Sequence, residues 1–194
     1  ERASLIEEST FTGLQDFERY IFFKKAQVLR SRLLKKLNFK KDISVKAIIG
    51  KPTSDKKKNL FYYYSKRQRS LKRSIEEEFH QVGSILKPIL YSLFKKKGFD
   101  LDYSVSTKKV ELHLKSGTWS PKDSRKNLSS FVNLEQSLMM SLNGPVIRMA
   151  SKVGFPWLEN ELKDILPRLR VPLEEYPAQL LGSVELSLKE IYSI

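Results

Sequence analysis

A stripe of apolar side chains between residues 71 and 93 constrains the fold of this chain more than any other feature. Its members recur at intervals of three or four residues, which is the period of one face of an α-helix. They are Leu71, Ile75, Phe79, Val82, Leu86, Ile89 and Leu93. We therefore predict an amphipathic helix over residues 66–97, kinked at Pro88 because proline removes a backbone donor. Gly98, which follows three lysines, is typical of a helix end.

Strand-like segments alternate with the helical ones. Residues 43–50 and 60–66 are short and rich in β-branched or aromatic side chains, and the polar stretch between them predicts a hairpin. Residues 100–106 and 109–116 alternate apolar and polar side chains and predict a second hairpin. Further helices are predicted over 14–37 and 128–142 and after Pro145 and Pro156, whereas residues 1–13 are expected to be a frayed end. This order predicts an α+β fold of small antiparallel sheets packed with amphipathic helices, more helical toward the C-terminus.

The composition changes at the turn-rich loop 116–127. We expect a basic region over 1–115 and a mainly helical, nearly neutral region over 128–194, although the two could equally form one continuous domain.

Positive charge is concentrated in the first third of the chain. The chain carries a net charge of +14, and residues 19–73 contain 19 Lys or Arg but only two acids. The remaining residues contain 17 basic and 20 acidic side chains. A surface selected only for solubility would mix the two signs, so this segregation indicates an anionic partner.

The densest part of the basic segment is residues 56–73, with eight cationic side chains, no acid and four consecutive aromatics. Lysine and arginine neutralise phosphates, and exposed aromatic rings can stack on bases. We therefore predict a nucleic-acid-binding surface on this segment. Its residues are Lys56, Lys57, Lys58, Tyr62, Tyr64, Lys66, Arg67, Arg69, Lys72 and Arg73.

The predicted partner is nucleic acid, with RNA slightly favoured because no helix stands out as a reader of the DNA major groove. A protein partner could bind the C-terminal half, and a membrane is not expected because no apolar run is long enough to span one. The chain has no cysteine, and its acidic first residues lack the features of a signal peptide. Both observations favour an intracellular, reducing compartment.

Catalytic and metal-binding patterns are weak. The two histidines, His80 and His113, fit structural positions, and the Asn143-Gly144-Pro145 turn is typical of a helix boundary. Neither a phosphate-binding loop nor a metal-ligand spacing occurs. We expect no catalytic residue, no metal and no cofactor, and the sequence favours a non-catalytic nucleic-acid-binding protein.

Three alternatives stay open. The chain could be an assembly subunit whose C-terminal half docks on another protein. It could bind anionic membranes through a basic helix over 14–37. It could also be a metal-dependent nuclease that uses Asp100, Asp102, Glu111 and Lys115.

Overall fold

The computed structural model describes residues 4–7, 24–25, 28, 31–32, 35, 46–50, 60–64, 77–125 and 128–194. In chain order, the described strands and helices are β1 (Ser4–Glu7), β2 (Lys46–Gly50), β3 (Leu60–Tyr64), β4 (Phe79–Gln81), α1 (Lys87–Lys96), β5 (Ser104–Ser106), β6 (Leu112–Leu114), β7 (Gly117–Trp119), β8 (Phe131–Asn133), α2 (Leu134–Met139), α3 (Gly144–Val153), α4 (Phe155–Leu162), β9 (Glu185–Ser187) and α5 (Leu188–Ser193). Two 3₁₀ turns, Gly83–Leu86 and Pro177–Leu181, complete the described elements. The small antiparallel sheets and several helices confirm the predicted α+β fold.

The chain divides into two compact units, residues 1–79 with 187–193 and residues 80–186 with Ile194. The division expected from the sequence, into 1–115 and 128–194, stays a prediction. No helix in the described part of the chain is both long and apolar enough to span a membrane.

The first unit contains a three-stranded antiparallel sheet in the order β1-β3-β2. Strands β2 and β3 pair from Gly50 opposite Leu60 to Lys46 opposite Tyr64, which confirms the first predicted hairpin. Strand β1 pairs with the other edge of β3. The prediction of a frayed end over residues 1–13 is therefore wrong at residues 4–7. The backbone there finds hydrogen-bonding partners on β3, which the local sequence did not reveal.

Part of the predicted basic helix over 14–37 is described. Each of its described residues is helical and exposed, in agreement with the prediction. These residues are Lys24, Lys25, Val28, Ser31, Arg32 and Lys35.

The predicted long helix over 66–97 is wrong between residues 77 and 86, and residues 66–76 lie outside the described ones. Phe79–Gln81 forms β4, and Gly83 has a φ of 60°, which an α-helix does not accommodate. Pro88 lies in the first turn of α1, where the missing N–H costs nothing. It therefore starts the helix instead of kinking it. The end of the helix is as predicted, since α1 stops at Lys96 and Gly98 has a φ of 95°.

The predicted second hairpin is also wrong. Strand β5 pairs with β8, and β6 pairs with β7 through a tight turn that brings Leu114 opposite Gly117. The φ of Gly117 is 119°, a backbone conformation that residues other than glycine rarely adopt. Each of the two alternating segments does contain a strand, as predicted. The two strands do not pair with each other, because β5 pairs with β8 and β6 pairs with β7.

The core of the second unit is built around α1. Leu86, Leu90 and Phe94 lie on one side of this segment and are fully buried. Helix α1 packs against α2 and α3, and α3 contributes the buried Val146 and Ile147. Burying one such side chain stabilises the fold by about 1.5–3 kcal/mol. This packing gives α1 a fixed position in the unit.

Local sequence determines where α2 and α3 begin. Asn133 and Gln136 form reciprocal hydrogen bonds at the start of α2, with side-chain to backbone distances of 2.7 and 3.1 Å. Helix α3 begins at Gly144 with Pro145 in its first turn. Arg148 of α3 donates to the carbonyl oxygens of Ser106 at 3.2 Å and Lys108 at 2.9 Å. The guanidinium therefore ties the segment between β5 and β6 to α3.

Two glycines meet where β4 and β9 lie side by side. The Gly83 N–H donates to the carbonyl of Gly182 at 2.9 Å, and the Val82 N–H donates to that of Val184 at 3.0 Å. A Cβ atom on Gly182 would lie 2.0 Å from the Gly83 oxygen, so no larger residue fits without movement. This close approach fixes the backbone immediately before Ser84.

Candidate functional site

An exposed serine and a buried lysine lie three residues apart at the start of α1. Ser84 belongs to the 3₁₀ turn Gly83–Leu86 and is exposed, whereas Lys87 is only 1% exposed. Residues three apart in a 3₁₀ turn lie on the same side of it. The local geometry therefore places a reachable hydroxyl next to a buried amine.

A second segment completes this cluster. The Lys87 Nζ donates to the Ser141 carbonyl at 2.5 Å, to the Ser141 Oγ at 3.1 Å and to the Asn143 Oδ1 at 2.7 Å. The Ser141 Oγ donates to the Ser84 Oγ at 3.0 Å. A continuous chain of hydrogen bonds thus links the three residues, with Lys87 donating to Ser141 and Ser141 donating to Ser84. We call these three residues with Asn143 the Ser84 site.

Burial and a nearby carboxylate shift the pKa of Lys87 in opposite directions, and burial has the larger effect. Burial lowers the pKa of the Lys87 amine, because desolvation penalises the charged ammonium. The carboxylate of Asp123 acts in the opposite direction and partly offsets the effect. A lysine whose pKa is lowered in this way can accept a proton nearer neutral pH than an exposed lysine can.

Tyr91 lies one helical turn beyond Lys87 and is buried. Its hydroxyl donates to the Ser137 Oγ at 2.7 Å. Burial raises the pKa of Tyr91 to about 12. The phenol therefore stays protonated at neutral pH and acts as a hydrogen-bond donor rather than a base.

The Ser84 site has the parts of an activated serine nucleophile. A serine hydroxyl attacks a carbonyl efficiently only when a nearby base accepts its proton. Here Lys87 can serve as that base, and the hydroxyl of Ser141 can relay the proton between them. This site was not predicted from the sequence, because Asn143 fits a helix boundary and no role was assigned to Ser84 or Lys87. The signal was present as Ser-x-x-Lys and Ser-x-Asn, but such short motifs occur often by chance.

The predicted nucleic-acid-binding residues lie almost entirely outside the described residues. Only the backbone of Tyr62 and Tyr64 is described, in the central strand β3. The eight cationic positions, Lys56, Lys57, Lys58, Lys66, Arg67, Arg69, Lys72 and Arg73, are not among the residues that the structure describes. That these residues share a cationic surface stays a prediction.

Three of the four residues of the nuclease alternative form ion pairs with other side chains. Glu111 forms an ion pair with Lys109 at 2.5 Å, and Lys115 pairs with Glu175. Asp100 lies 3.7 Å from the Lys95 ammonium. Within the described ranges, no cluster of three or more His, Cys, Asp or Glu residues could hold a metal ion. His80 is exposed in β4, and His113 Nδ1 lies 3.2 Å from the Thr118 hydroxyl.

Comparison with known proteins points to one group. The chain is 31% identical over 110 residues to penicillin-binding protein 1B of Haemophilus influenzae, which covers 55% of this chain and 14% of that protein. It is 28% identical over 140 residues to penicillin-binding protein 1A of Neisseria meningitidis, covering 68% of this chain and 17% of that protein. The chain therefore spans less than a fifth of these relatives. No family model matches it.

A solved structure supports the same fold. The crystal structure of penicillin-binding protein 1A from Haemophilus influenzae aligns with a TM-score of 0.54 at 22% sequence identity. The alignment covers 61% of this chain and 18% of that chain.

These similarities overturn the functional predictions made from the sequence. The matched proteins are penicillin-binding proteins and not nucleic-acid-binding proteins, so the prediction of a non-catalytic nucleic-acid-binding protein is wrong. The expectation of nucleic acid rather than a membrane as partner and the predicted intracellular, reducing compartment are contradicted by the same similarity. An excess of cations indicates an anionic partner without saying which one. The absence of cysteine is compatible with either side of a membrane.

Proposed function

We propose that the chain contributes the acylation site of a penicillin-binding transpeptidase that acts on cell-wall peptides outside the cytoplasm. The hydrogen-bonded chain from Ser84 through Ser141 to Lys87 carries this proposal. Ser-x-x-Lys followed by Ser-x-Asn is the motif pair of penicillin-binding proteins, in which the first serine is the nucleophile. Here the pair is Ser84-x-x-Lys87 and Ser141-x-Asn143. The similarity to penicillin-binding proteins 1A and 1B agrees with this assignment.

In the acylation step, the Ser84 Oγ attacks the carbonyl carbon of a peptide amide. Its proton passes to the neutral Lys87 amine, either directly or through the Ser141 hydroxyl. The carbon–nitrogen bond then breaks, and the leaving amine takes a proton. The product is an ester between the peptide and Ser84. Burial lowers the pKa of the Lys87 amine, which brings the neutral, proton-accepting form closer to neutral pH than in an exposed lysine.

The ester is resolved when the amine of a second peptide attacks the same carbonyl carbon. The bond to Ser84 breaks, its oxygen regains a proton, and a new amide joins the two peptides. Penicillin carries a strained amide within a ring. When its carbon–nitrogen bond breaks, the nitrogen stays attached to the rest of the drug and does not leave the site. The opened drug therefore remains attached to Ser84 and blocks the site.

Labelling with a fluorescent penicillin tests the proposal. The third motif of these enzymes, Lys-Thr-Gly, does not occur in the 194 residues, so the full-length protein is used. We expect one covalent label on the peptide that contains Ser84, located by mass spectrometry. Ser84→Ala should abolish the label. Ser92→Ala, which changes an exposed serine within α1, should leave the label intact. Labelling that persists in the Ser84→Ala variant would refute the assignment.

A further inference from the structure

The two residues Lys122 and Asp123 hold the Ser141–Asn143 turn by three hydrogen bonds. The Asn143 backbone N–H donates to the Asp123 Oδ1, and the Gly144 N–H donates to the Asp123 Oδ2 at 3.2 Å. The Asn143 side-chain Nδ2 donates to the Lys122 carbonyl at 2.7 Å. Asp123 is half-buried in the segment that follows β7. None of these bonds reaches Ser84 or Lys87, so any effect of the bonds themselves on acylation would pass through Asn143 and Gly144.

These bonds decide which end of the Asn143 amide faces Lys87. An amide group has a donor end and an acceptor end, and its hydrogen-bond partners fix the orientation. Since Nδ2 donates to the Lys122 carbonyl, Oδ1 is left to accept from the Lys87 Nζ at 2.7 Å. A reversed amide would turn two hydrogen-bond donors toward each other.

The carboxylate also satisfies the start of α3. The first N–H groups of a helix have no partner within the helix, and a negative charge at that end is favourable. Asp123 accepts from two successive backbone groups, one through each oxygen. Uncharged asparagine has a single acceptor oxygen and could keep only one of these two bonds.

We propose that Asp123 is a positioning residue of the Ser84 site, whose carboxylate fixes the Ser141–Asn143 turn against Lys87 and counters the positive charge of that lysine. This inference rests on the proposed function and adds a residue that positions the groups of the Ser84 site. The carboxylate of Asp123 acts electrostatically on Lys87 and on Tyr91. Tyr91 itself is neutral below a pKa of about 12. Among the described residues, Asp123 is the group whose charge opposes the effect of burial on the pKa of Lys87.

The charge and the geometry of Asp123 have separable consequences. Loss of the negative charge lowers the pKa of Lys87, so a larger fraction of Lys87 is neutral at any pH below that pKa. The acidic limb of the acylation profile then moves to lower pH. Loss of the hydrogen bonds displaces Asn143 and Ser141, and the maximal acylation rate falls.

The experiment measures the second-order rate of acylation by a fluorescent penicillin as a function of pH, in the full-length protein. Asp123→Asn removes the charge but keeps one acceptor, so we expect its acidic limb at lower pH. The maximal acylation rate of Asp123→Asn should fall less below the wild-type rate than that of Asp123→Ala. Asp123→Ala removes both effects, and its maximal rate should fall on the order of 100-fold, as misplaced catalytic groups do. Asp102→Asn removes an exposed carboxylate elsewhere and should change neither property.

Direct titration of Lys87 by NMR, assigned with Lys87→Arg, gives a second readout. We expect a lower pKa of Lys87 in Asp123→Asn than in the wild type. An unchanged acidic limb and an unchanged Lys87 pKa would overturn the inference while leaving the proposed function intact. If the wild type does not react with penicillin at all, the proposed function fails. The Lys87 titration then still decides whether Asp123 counters the charge of Lys87.

Discussion

Ser141 combines a position in the Ser84 site with an unfavourable backbone conformation. Its φ is 54°, in the left-handed region that favours glycine. The residue follows the last turn of α2, where a left-handed residue lets the chain reverse direction. This reversal allows both the carbonyl and the hydroxyl of Ser141 to accept from Lys87. Such strain costs about 1–2 kcal/mol in a residue other than glycine, and the proposed role of the hydroxyl would account for serine at this position.

The variants Ser141→Gly and Ser141→Ala separate strain from chemistry. Both lose the hydroxyl, so the rate of penicillin acylation should fall strongly and to a similar extent in each. Glycine relieves the left-handed strain and alanine retains it. The free energy of unfolding in urea should therefore be about 1 kcal/mol higher for Ser141→Gly than for Ser141→Ala. Equal stability of the two variants would show that the φ of Ser141 is not strained.

The contact between Gly83 and Gly182 holds the strand that leads into the Ser84 site. Each glycine has a positive φ, but their surroundings differ. A Cβ on Gly182 would meet the backbone of Gly83, and backbone atoms cannot rotate away as a side chain can. Glycine at this position is thus required by space as well as by conformation.

Gly182→Ala should be among the most destabilising single substitutions in the second unit. We expect a loss of roughly 3 kcal/mol or more in the free energy of unfolding, together with weaker acylation at Ser84. Gly98→Ala is the matched control, since Gly98 has a φ of 95° and no atom within 4 Å of the added Cβ. The free energy of unfolding of Gly98→Ala should fall by only about 1 kcal/mol, the cost of a positive φ in a residue other than glycine. Equal losses in the two variants, measured by urea unfolding, would contradict a steric role for the contact.

Several elements made by neighbouring segments were predictable, although the hairpin of β6 and β7 was not, whereas those that join distant segments were missed. The hairpin of β2 and β3 and the start of α3 at Gly144-Pro145 follow from local sequence. The stripe that includes Phe79 and Val82 has helical spacing, but these residues form or follow a strand whose partner, β9, lies about a hundred residues further along. The same limit hid the site, because Ser84 and Ser141 are 57 residues apart. Tertiary packing overrides a local periodicity when a distant partner is available.

At the scale of the whole molecule, the net charge and its concentration in residues 19–73 can be read directly from the sequence. The 19 basic residues between residues 19 and 73 are offset by only two acids, so their positive charges repel one another at low ionic strength. Salt shortens the range of this repulsion, from about 30 Å at 0.01 M to about 8 Å at 0.15 M. The excess charge therefore opposes folding in dilute buffer and is screened as salt is added.

Thermal unfolding at increasing KCl concentration measures this repulsion. We expect the midpoint of unfolding of the 194-residue chain to rise with salt. Neutralising four positions of the basic segment with glutamine should weaken the rise, and these positions are Arg67, Arg69, Lys72 and Arg73. In a control variant, four exposed cations of the second unit are neutralised instead, and the midpoint should still rise with salt as in the wild type. These cations are Lys108, Lys122, Arg125 and Lys152. If both variants keep the same salt response, the charge of residues 19–73 is not a source of instability.

The guanidinium of Arg148 has a consequence for how freely the sequence can vary. Its hydrogen bonds to the segment between β5 and β6 end on the carbonyl oxygens of Ser106 and Lys108. Every amino acid presents the same carbonyl oxygen, so the identity of the side chains at these two positions does not enter the interaction. Substitutions can accumulate in this segment while it stays tied to α3, the helix that begins next to Asn143. One arginine thus permits variability in a loop without loosening the helix beside the site.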